Sequence, residues 1–272
     1  MTDGSSTSGP AWPSRIDTGA AHSARVWNYL LGGKDNYAVD RQTGDMILRM
    51  FPDIARIARV QRSFLARAVR HLAGEAGVRQ FLDIGTGLPT ADNTHQVAQR
   101  IAPESRVVYV DNDPLVLVHA QALLSSVPAG ATDYVEADVR DPDTILEAAA
   151  RTLDFTRPIG LMMLGIMGQL PDDDDPRAIL RRLLAALPSG SYLALSDGAD
   201  TSATLNEAIR IYNRNSAGSY HLRSPERIAG FFAGLELVEP GVVTTSMWRP
   251  DIPALGPSPT EVDAICGVGR KP

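Results

Sequence analysis

The sequence predicts a doubly wound α/β fold, in which helices cover both faces of a mostly parallel sheet. Two observations lead to this prediction. Short apolar runs alternate with stretches of helical periodicity from residue 79 onward, and a glycine-rich turn follows the first run. Such alternation is typical of βαβ units, whose strands are buried on both faces. The apolar runs predict strands at residues 80–84, 106–111, 133–138, 158–164 and 191–196.

Helices are predicted between and after these strands. Their ranges are 92–101, 114–125, 143–152, 176–187 and 203–217, with a short helix opened by Ser224. Further β-like stretches follow at 235–238, 242–245 and 264–268. Asp113, Asp141 and Asp175 each precede a proline, and Asp-Pro is favourable at a helix start. We interpret the aspartate run at 172–175 as one such cap beside solvated carboxylates, and not as a metal site.

The N-terminal part of the chain follows a different pattern. Residues 1–20 are rich in Ser, Thr, Gly and Pro, which is typical of a flexible tail. A predicted helix at 23–31, a polar loop and a long amphipathic helix from Ile54 to Leu72 make a helical cap over residues 21–77. Residues 78–272 then form the domain that contains the sheet.

Composition excludes several kinds of protein. Among 272 residues there is one cysteine, Cys266, so an internal disulfide and a cysteine-based zinc site are ruled out. The net charge of −6 argues against nucleic acid and anionic membranes as partners. No apolar run has the length of a membrane span, and no signal peptide is recognisable. We therefore expect a cytoplasmic monomer or homodimer that acts on a small molecule, with Cys266 as a buried, inert thiol.

Candidate functional residues lie at the carboxyl ends of the first three strands. Asp83 is followed by Gly85 and Gly87, which let a ligand approach the backbone closely. Asp111 ends the second strand, where a carboxylate can accept hydrogen bonds from both ribose hydroxyls. Asp138 ends the third strand and could accept from an exocyclic amine such as that of adenine. In a parallel sheet these ends meet at one crevice, so the pattern predicts a ligand with an amine, a ribose and an adenine.

A nicotinamide-dependent oxidoreductase is a weaker alternative. Asp83 would repel a pyrophosphate, and Thr90 occupies the position of the third glycine in the dinucleotide fingerprint.

These motifs resemble those of the class I S-adenosylmethionine-dependent methyltransferases. Five stretches are similar, more narrowly, to an actinobacterial S-adenosyl methyltransferase-like family formerly known only as a domain of unknown function. They are residues 25–37, 81–90, 106–114, 248–250 and 267–272. The resemblance covers nearly the whole chain from residue 23. It implies a Rossmann-like, seven-stranded sheet with its last strand antiparallel, an N-terminal helical cap, and S-adenosyl-L-methionine as cofactor.

The resemblance also implies a set of cofactor-binding residues. Asp83 and the glycine loop would hold the amino-acid end, Asp111 the ribose, and Asp138 with Val139 the adenine. Gly165 and Ile166 would border the methyl group. The full set is Asp83, Gly85, Thr86, Gly87, Asp111, Asn112, Asp138, Val139, Gly165 and Ile166.

The sequence indicates the binding site of the methyl acceptor less clearly than that of the cofactor. Residues of the cap string, with one histidine after the glycine loop, are candidates for lining it: Tyr29, Lys34, Asp35, Asn36, Arg41 and His95. A solvated turn is an equally good interpretation for residues 34–36, and a partly exposed helical position is the simpler one for His95. Asp197 ends the fifth strand and could face the acceptor or cap a turn. Trp248, Phe231 and Phe232 are interpreted as core.

Two departures from the methyltransferase pattern bear on activity. Pro89 stands where the third small residue of the loop is usual, and residues 164–171 carry no aromatic or histidine side chain after the fourth strand. The second departure leaves open an alternative, a cofactor-binding regulatory protein without turnover. No catalytic residue is assigned, because methyl transfer requires mainly alignment of donor and acceptor and, for some acceptors, removal of a proton.

Overall fold

A computed structural model describes residues 16–123, 126–216, 218–251 and 259–272 of the chain, so residues 1–15 of the predicted tail lie outside the described part. The helices are α1 (Ser23–Leu30), α2 (Ala38–Met50), α3 (Ile54–Arg70), α4 (Thr94–Ile101), α5 (Pro114–Leu123), α6 (Pro142–Ala149), α7 (Pro176–Ala186), α8 (Ala203–Asn215) and α9 (Pro225–Ala229). The strands are β1 (Gln80–Ile84), β2 (Arg106–Asp111), β3 (Ala131–Glu136), β4 (Gly160–Leu164), β5 (Tyr192–Gly198), β6 (Glu236–Leu237), β7 (Val243–Thr244) and β8 (Ala264–Arg270). Within the described ranges, every helix is too short or too polar to span a bilayer.

The sheet has the strand order β3-β2-β1-β4-β5-β8-β6, and β7 also pairs with β8. Strands β1 to β5 are parallel, whereas β8 is antiparallel to β5. This confirms the doubly wound α/β prediction. The described sheet has eight strands where seven were expected, because the edge is divided. β6 pairs with residues 269–270 of β8, and β7 pairs with residues 265–266.

Alternate residues of the strands enter two cores, one on each face of the sheet. Leu82 and Val108 face the core that contains Phe231 and Phe232. Neighbouring strand residues, such as Phe81, face the core that contains Trp248 and Cys266. Burial on both faces explains why the strands are continuous apolar runs. The predictions that the three aromatic residues belong to the core and that Cys266 is buried are confirmed.

The Asp-Pro dipeptides begin helices as predicted. Asp141 accepts a hydrogen bond from Thr144 N at 3.2 Å, and Asp175 accepts one from Ala178 N at 3.1 Å. The other aspartates of the run are exposed or partly exposed, as expected, but two of them also form ion pairs. Arg223 and Arg227 pair with Asp172 at 3.2 Å and 2.8 Å, and Arg140 pairs with Asp174 at 2.6 Å. These ion pairs join the segment after β4 to neighbouring elements.

The N-terminal region contains one more helix than predicted. Residues 38–50, expected as a polar loop, form α2. Polar residues dominate its outer face, and Gly44 interrupts its pattern. Gly44 is needed for packing, because a Cβ there would lie 2.4 Å from a ring carbon of Tyr29. The close approach joins α1 to α2 and explains why helical periodicity was weak in this stretch.

The cap helices share a core with the sheet region. Val26 and Leu30 of α1 pack in the same cluster as Ile47 of α2 and Ile57 of α3. Leu205, Ala208 and Tyr212 of α8 complete this cluster. Because α8 follows β5, the cap is fastened over the carboxyl ends of the strands.

Candidate functional site

A cavity of about 530 Å³ lies between the cap and the carboxyl ends of the strands. Its size is within the range of about 300–1,000 Å³ typical of small-molecule sites. The sheet contributes the ends of β1, β2, β4 and β5 and the turns after β1 to β4, and α1, α3 and α8, with Ile47 of α2, form the opposite wall. The ten residues predicted to bind the cofactor all line this one cavity: Asp83, Gly85, Thr86, Gly87, Asp111, Asn112, Asp138, Val139, Gly165 and Ile166.

The turn after β1 presents bare backbone to the cavity. Gly85 has a φ angle of +71° and Gly87 one of +67°, a conformation that favours glycine. Gly85 also has no room for a side chain, because a Cβ there would lie 1.7 Å from Cδ1 of Ile166. The turn thus combines a left-handed backbone conformation with close packing against the segment after β4.

Asp83 lies beneath this turn with 5% of its surface exposed. Its Oδ2 accepts a hydrogen bond from Thr94 Oγ1 at 2.6 Å. Burial raises the pKa of Asp83 to about 6, although the Thr94 bond and the positive charge of Arg62 act in the opposite direction. A buried carboxylate with so little compensation gains from a cationic ligand group such as an ammonium.

Asp111 bridges two loops. Its Oδ2 accepts from Gly87 N at 2.8 Å, and its Oδ1 accepts from Asp113 N at 2.9 Å. Burial raises the pKa of Asp111, and these two backbone hydrogen bonds oppose the shift. Each carboxylate oxygen accepts one of these bonds and has capacity for another. The pair of oxygens therefore suits a vicinal diol.

Asp138 lies at the rim of the cavity and is held by a residue that the sequence analysis missed. Arg140 donates to it from its backbone N at 2.9 Å and from its guanidinium at 3.1 Å. Asn112 Nδ2 also donates to Asp138, at 3.2 Å. Because Arg140 follows Asp138 by two residues, the sequence indicates that the two residues are close. It does not indicate that the Arg140 guanidinium points toward the Asp138 carboxylate.

The five cap candidates lie elsewhere. Tyr29, Lys34, Asp35, Asn36 and Arg41 are outside the cavity wall, in contrast to the prediction.

The loop that contains most of them is organised around Asn28. Asn28 Oδ1 accepts from Asp35 N at 3.1 Å and from Asn36 Nδ2 at 2.9 Å, and Arg41 donates to Asn36 O at 2.9 Å. Tyr29 donates to Asp45 of α2 at 2.5 Å. These hydrogen bonds connect residues of the cap that lie outside the cavity wall. Asn28 and the apolar face of α1 line the cavity.

The environment of His95 also differs from the predicted one. His95 is buried, and both its backbone N and its Nδ1 lie 2.8 Å from the Tyr109 hydroxyl. Burial lowers the pKa of His95, which keeps the ring neutral. It lies outside the cavity wall, so the expectations of partial exposure and of a lining role are both corrected.

Asp113 does more than begin a helix, which was its expected role. It is 1% exposed, and while its Oδ1 accepts from Leu115 N, its Oδ2 accepts from Arg25 Nε at 3.0 Å. His22 Nδ1 lies 3.1 Å from the same oxygen, and His22 lines the cavity. Arg25 and His22 come from α1 and its cap residue, far away in sequence, so no local pattern indicated this contact.

Asp197 does not itself line the cavity but contacts a residue that does. Tyr220 donates a hydrogen bond to Asp197 Oδ1, and Gly168 N donates to Oδ2 at 3.0 Å. Tyr220 lies in the cavity wall. No motif marked Tyr220, because it lies in a loop between α8 and α9 and reaches β5 only through the fold.

Known proteins resemble this chain over most of its length. Residues 10–272 match the model of a family described as S-adenosyl methyltransferase. A DUF574 family protein from Streptomyces avermitilis is 48% identical, with a TM-score of 0.89, over 95% of this chain and 100% of the other. A proposed methyltransferase from Thermobifida fusca is 44% identical, with a TM-score of 0.85, over 93% of this chain and 95% of the other.

A curated relative is more distant. Carboxy-S-adenosyl-L-methionine synthase from Chromohalobacter salexigens is 31% identical over 155 residues, which are 56% of this chain. The match spans half the length of that relative. Because the family model covers nearly the whole chain, including the glycine loop and all three strand-end carboxylates, the protein belongs to the S-adenosyl methyltransferase family, whose cofactor is S-adenosyl-L-methionine.

Proposed function

We propose that this methyltransferase transfers a methyl group to a small molecule bound in the cavity between the cap and the sheet. The observation that carries the proposal is the convergence of Asp83, Asp111 and Asp138 with the glycine turn on one cavity of about 530 Å³. A cavity of this size that also holds the cofactor leaves room for a small acceptor only. Membership in a methyltransferase family favours turnover over the binding-only alternative.

Each predicted cofactor residue has a role in this proposal. Asp83 holds the ammonium group, and the backbone of the 85–87 turn, with Thr86, surrounds the amino-acid end. Asp111 accepts from both ribose hydroxyls. Asp138, Asn112 and Val139 border the adenine, while Gly165 and Ile166 face the methyl group. The bound cofactor supplies a methyl group that is already electrophilic, so these residues act by orientation.

The remaining expectations belong to the same proposal. With a net charge of −6, the protein is proposed to act in the cytoplasm, without nucleic acid or membrane partners, as a monomer or homodimer. Residues 21–77 are proposed as the cap and residues 78–272 as the cofactor-binding domain.

Calorimetric titration with S-adenosylhomocysteine tests the cofactor site. We expect binding to the wild type and a loss of about 1–3 kcal/mol in Asp111→Asn, roughly 5- to 150-fold in Kd, because a buried acceptor for the ribose is removed. Asp133→Asn is the matched control, since Asp133 also lies on a strand but outside the cavity wall. Circular dichroism verifies that both variants are folded. Absence of binding to the wild type at millimolar ligand contradicts the proposal.

A further inference from the structure

The acceptor side of the cavity is mostly apolar. Beyond the proposed cofactor residues, its wall includes Val26, Trp27, Leu30, Ile57, Leu205 and Leu222. Two charged side chains that also line it are already paired: Arg62 donates to Ala91 O and Asp92 O, and Asp263 accepts from Thr201. A charged acceptor group would lose its hydration against the apolar side chains, which is costly unless a partner compensates it. An acceptor with a neutral reacting group fits this wall better than an ammonium or a carboxylate.

Tyr220 contributes a side chain with a polar group to this wall. Its hydroxyl donates to Asp197 Oδ1 and accepts from Gly198 N at 3.1 Å. The only proton of the hydroxyl is therefore used, and the remaining lone pair can accept a hydrogen bond from a ligand. A ligand with an O–H group is complementary to this arrangement.

The position of Tyr220 is fixed from two sides. Its ring lies on bare backbone, because a Cβ on Gly168 would be 2.4 Å from Tyr220 Cζ and one on Gly198 would be 3.3 Å from Cε1. Asn213 exchanges two hydrogen bonds of 2.8 Å with the backbone N and O of Tyr220. The side chain is thus held by both packing and hydrogen bonds.

The Tyr220–Asp197 pair lies beside the proposed methyl position. In the sheet Leu164 pairs with Ser196, and Gly165 N donates to Ser196 O at 2.7 Å. Asp197 therefore lies on β5 at the level of Gly165, the first residue after β4, and adjacent strands are about 4.8 Å apart. Asp197 is further tied to the turn after β4 by its bond from Gly168 N.

We propose that the acceptor is a small, largely apolar molecule with a neutral hydroxyl group, such as a phenol, and that Tyr220 and Asp197 receive its proton during methyl transfer. This inference rests on the proposed function of the cavity. Tyr220 is the catalytic residue, since it touches the acceptor, and Asp197 acts through it as a positioning residue and final proton acceptor.

The acceptor oxygen forms a bond to the methyl carbon, and the bond from that carbon to the sulfonium sulfur breaks, leaving a neutral thioether. The acceptor proton moves to Tyr220 Oη as the tyrosine proton moves to Asp197 Oδ1. After the product leaves, the proton returns from Asp197 through the Tyr220 hydroxyl to solvent in the cavity.

The ionisation of Asp197 suits this role. Burial raises the pKa of Asp197 to about 6, while the hydrogen bond from Tyr220 and the charge of Arg223 oppose the shift. Above pH 6 the carboxylate is ionised and can accept a proton. Burial also raises the pKa of Tyr220 well above its ordinary range, so it relays a proton and does not act as a free phenolate. His221 is the next titratable residue along the chain, and its Nε2 faces Ser219 at 2.9 Å.

Binding is tested first, with the S-adenosylhomocysteine complex. We expect 2-naphthol to bind more tightly than naphthalene, which lacks the hydroxyl, and far more tightly than glycine or glycerol. In Tyr220→Phe the preference for 2-naphthol over naphthalene falls about fivefold, the effect of one hydrogen bond, while affinity for S-adenosylhomocysteine is unchanged. Tyr192→Phe, at the opposite end of β5, leaves both affinities unchanged.

Methyl transfer to 2-naphthol is then followed by mass spectrometry at saturating S-adenosyl-L-methionine. We expect the wild-type rate to fall as pH decreases through about 6, and Asp197→Asn to be slower without that inflection.

Each result has a distinct meaning. Absence of S-adenosylhomocysteine binding overturns the proposed function itself. If S-adenosylhomocysteine binds but the complex takes up no 2-naphthol, or prefers glycine or glycerol, the acceptor class is wrong. If Tyr220→Phe leaves the preference for 2-naphthol intact, if the wild type transfers no methyl group to it, or if Asp197→Asn retains the inflection, the proton relay is overturned.

Discussion

Asp83 illustrates how a binding residue can oppose folding. Its pKa in the folded protein is about 6, above the ordinary value of 3.8, because burial penalises the charged form. Between these two values the folded chain binds more protons than the unfolded chain. The contribution of Asp83 to stability is therefore present at low pH and is lost as pH rises through about 6. A cationic ligand group reverses this cost, because it stabilises the charged carboxylate.

The affinity for S-adenosylhomocysteine should consequently depend on pH. We expect binding to weaken as pH is lowered from 7.5 to 5, since protonated Asp83 cannot pair with the ligand ammonium. Asp83→Asn should bind weakly throughout and show a smaller pH dependence. Calorimetry at the two pH values measures both effects. Equal wild-type affinity at pH 5 and 7.5 would show that Asp83 does not hold the ammonium.

At this scale the sequence predicted one side of the cavity and not the other. Asp83, Asp111 and Asp138 were recognisable because each ends an apolar run, and the ends of parallel strands meet. His22 and Tyr220 were not recognisable, because they reach the cavity from elements distant in sequence and have no characteristic spacing. Nearness in the fold, and not local pattern, brings these residues to the site.

Among the elements, α1 is joined to the loop after β2 by the buried pair of Arg25 and Asp113. Both side chains are almost fully buried, at 4% and 1% exposure. Asp113 N also donates to Asp111, so the cap is connected to the proposed ribose site through two neighbouring residues.

Breaking this pair should be strongly destabilising. We expect Asp113→Asn to lower the free energy of unfolding by about 3 kcal/mol, because Arg25 loses its nearer buried counter-charge and keeps only Asp40, at 3.8 Å. Adding Arg25→Met should recover part of that loss. Urea unfolding measures both changes. The exposed pair Arg182–Asp143 is the control, and Asp143→Asn should cost about 0–1 kcal/mol. A loss for Asp113→Asn as small as that of the control would mean that the buried pair contributes little.

Hydrophobic periodicity predicts most of the helices and strands but not α2. The strands and most helices were predicted to within a few residues because burial on one or two faces leaves a regular pattern. Helix α2 was missed because polar residues and Gly44 weaken its pattern, and its helical form depends on packing against Tyr29 and α8.

For the whole molecule, the cavity wall is shared between the cap and the sheet. A ligand that contacts both parts should therefore stabilise both. We expect S-adenosylhomocysteine at 100 times its Kd to raise the free energy of unfolding by about 2.7 kcal/mol. Hydrogen exchange should slow in α1 as well as in the 83–87 turn. Protection confined to the turn would indicate that the cap does not contact the ligand.

The position of β8 has a consequence for synthesis of the chain. β5 precedes β8 by the entire stretch that contains α8, α9, β6 and β7, yet β8 is the strand that covers its open edge. During synthesis on the ribosome, the main-chain groups of β5 that pair with β8 have no partner until β8 is made. Exposed strand edges of this kind promote aggregation. The incomplete chain is therefore most prone to aggregation before β8 is synthesised. A chain released at that stage would expose the edge of β5 that pairs with β8 in the complete sheet.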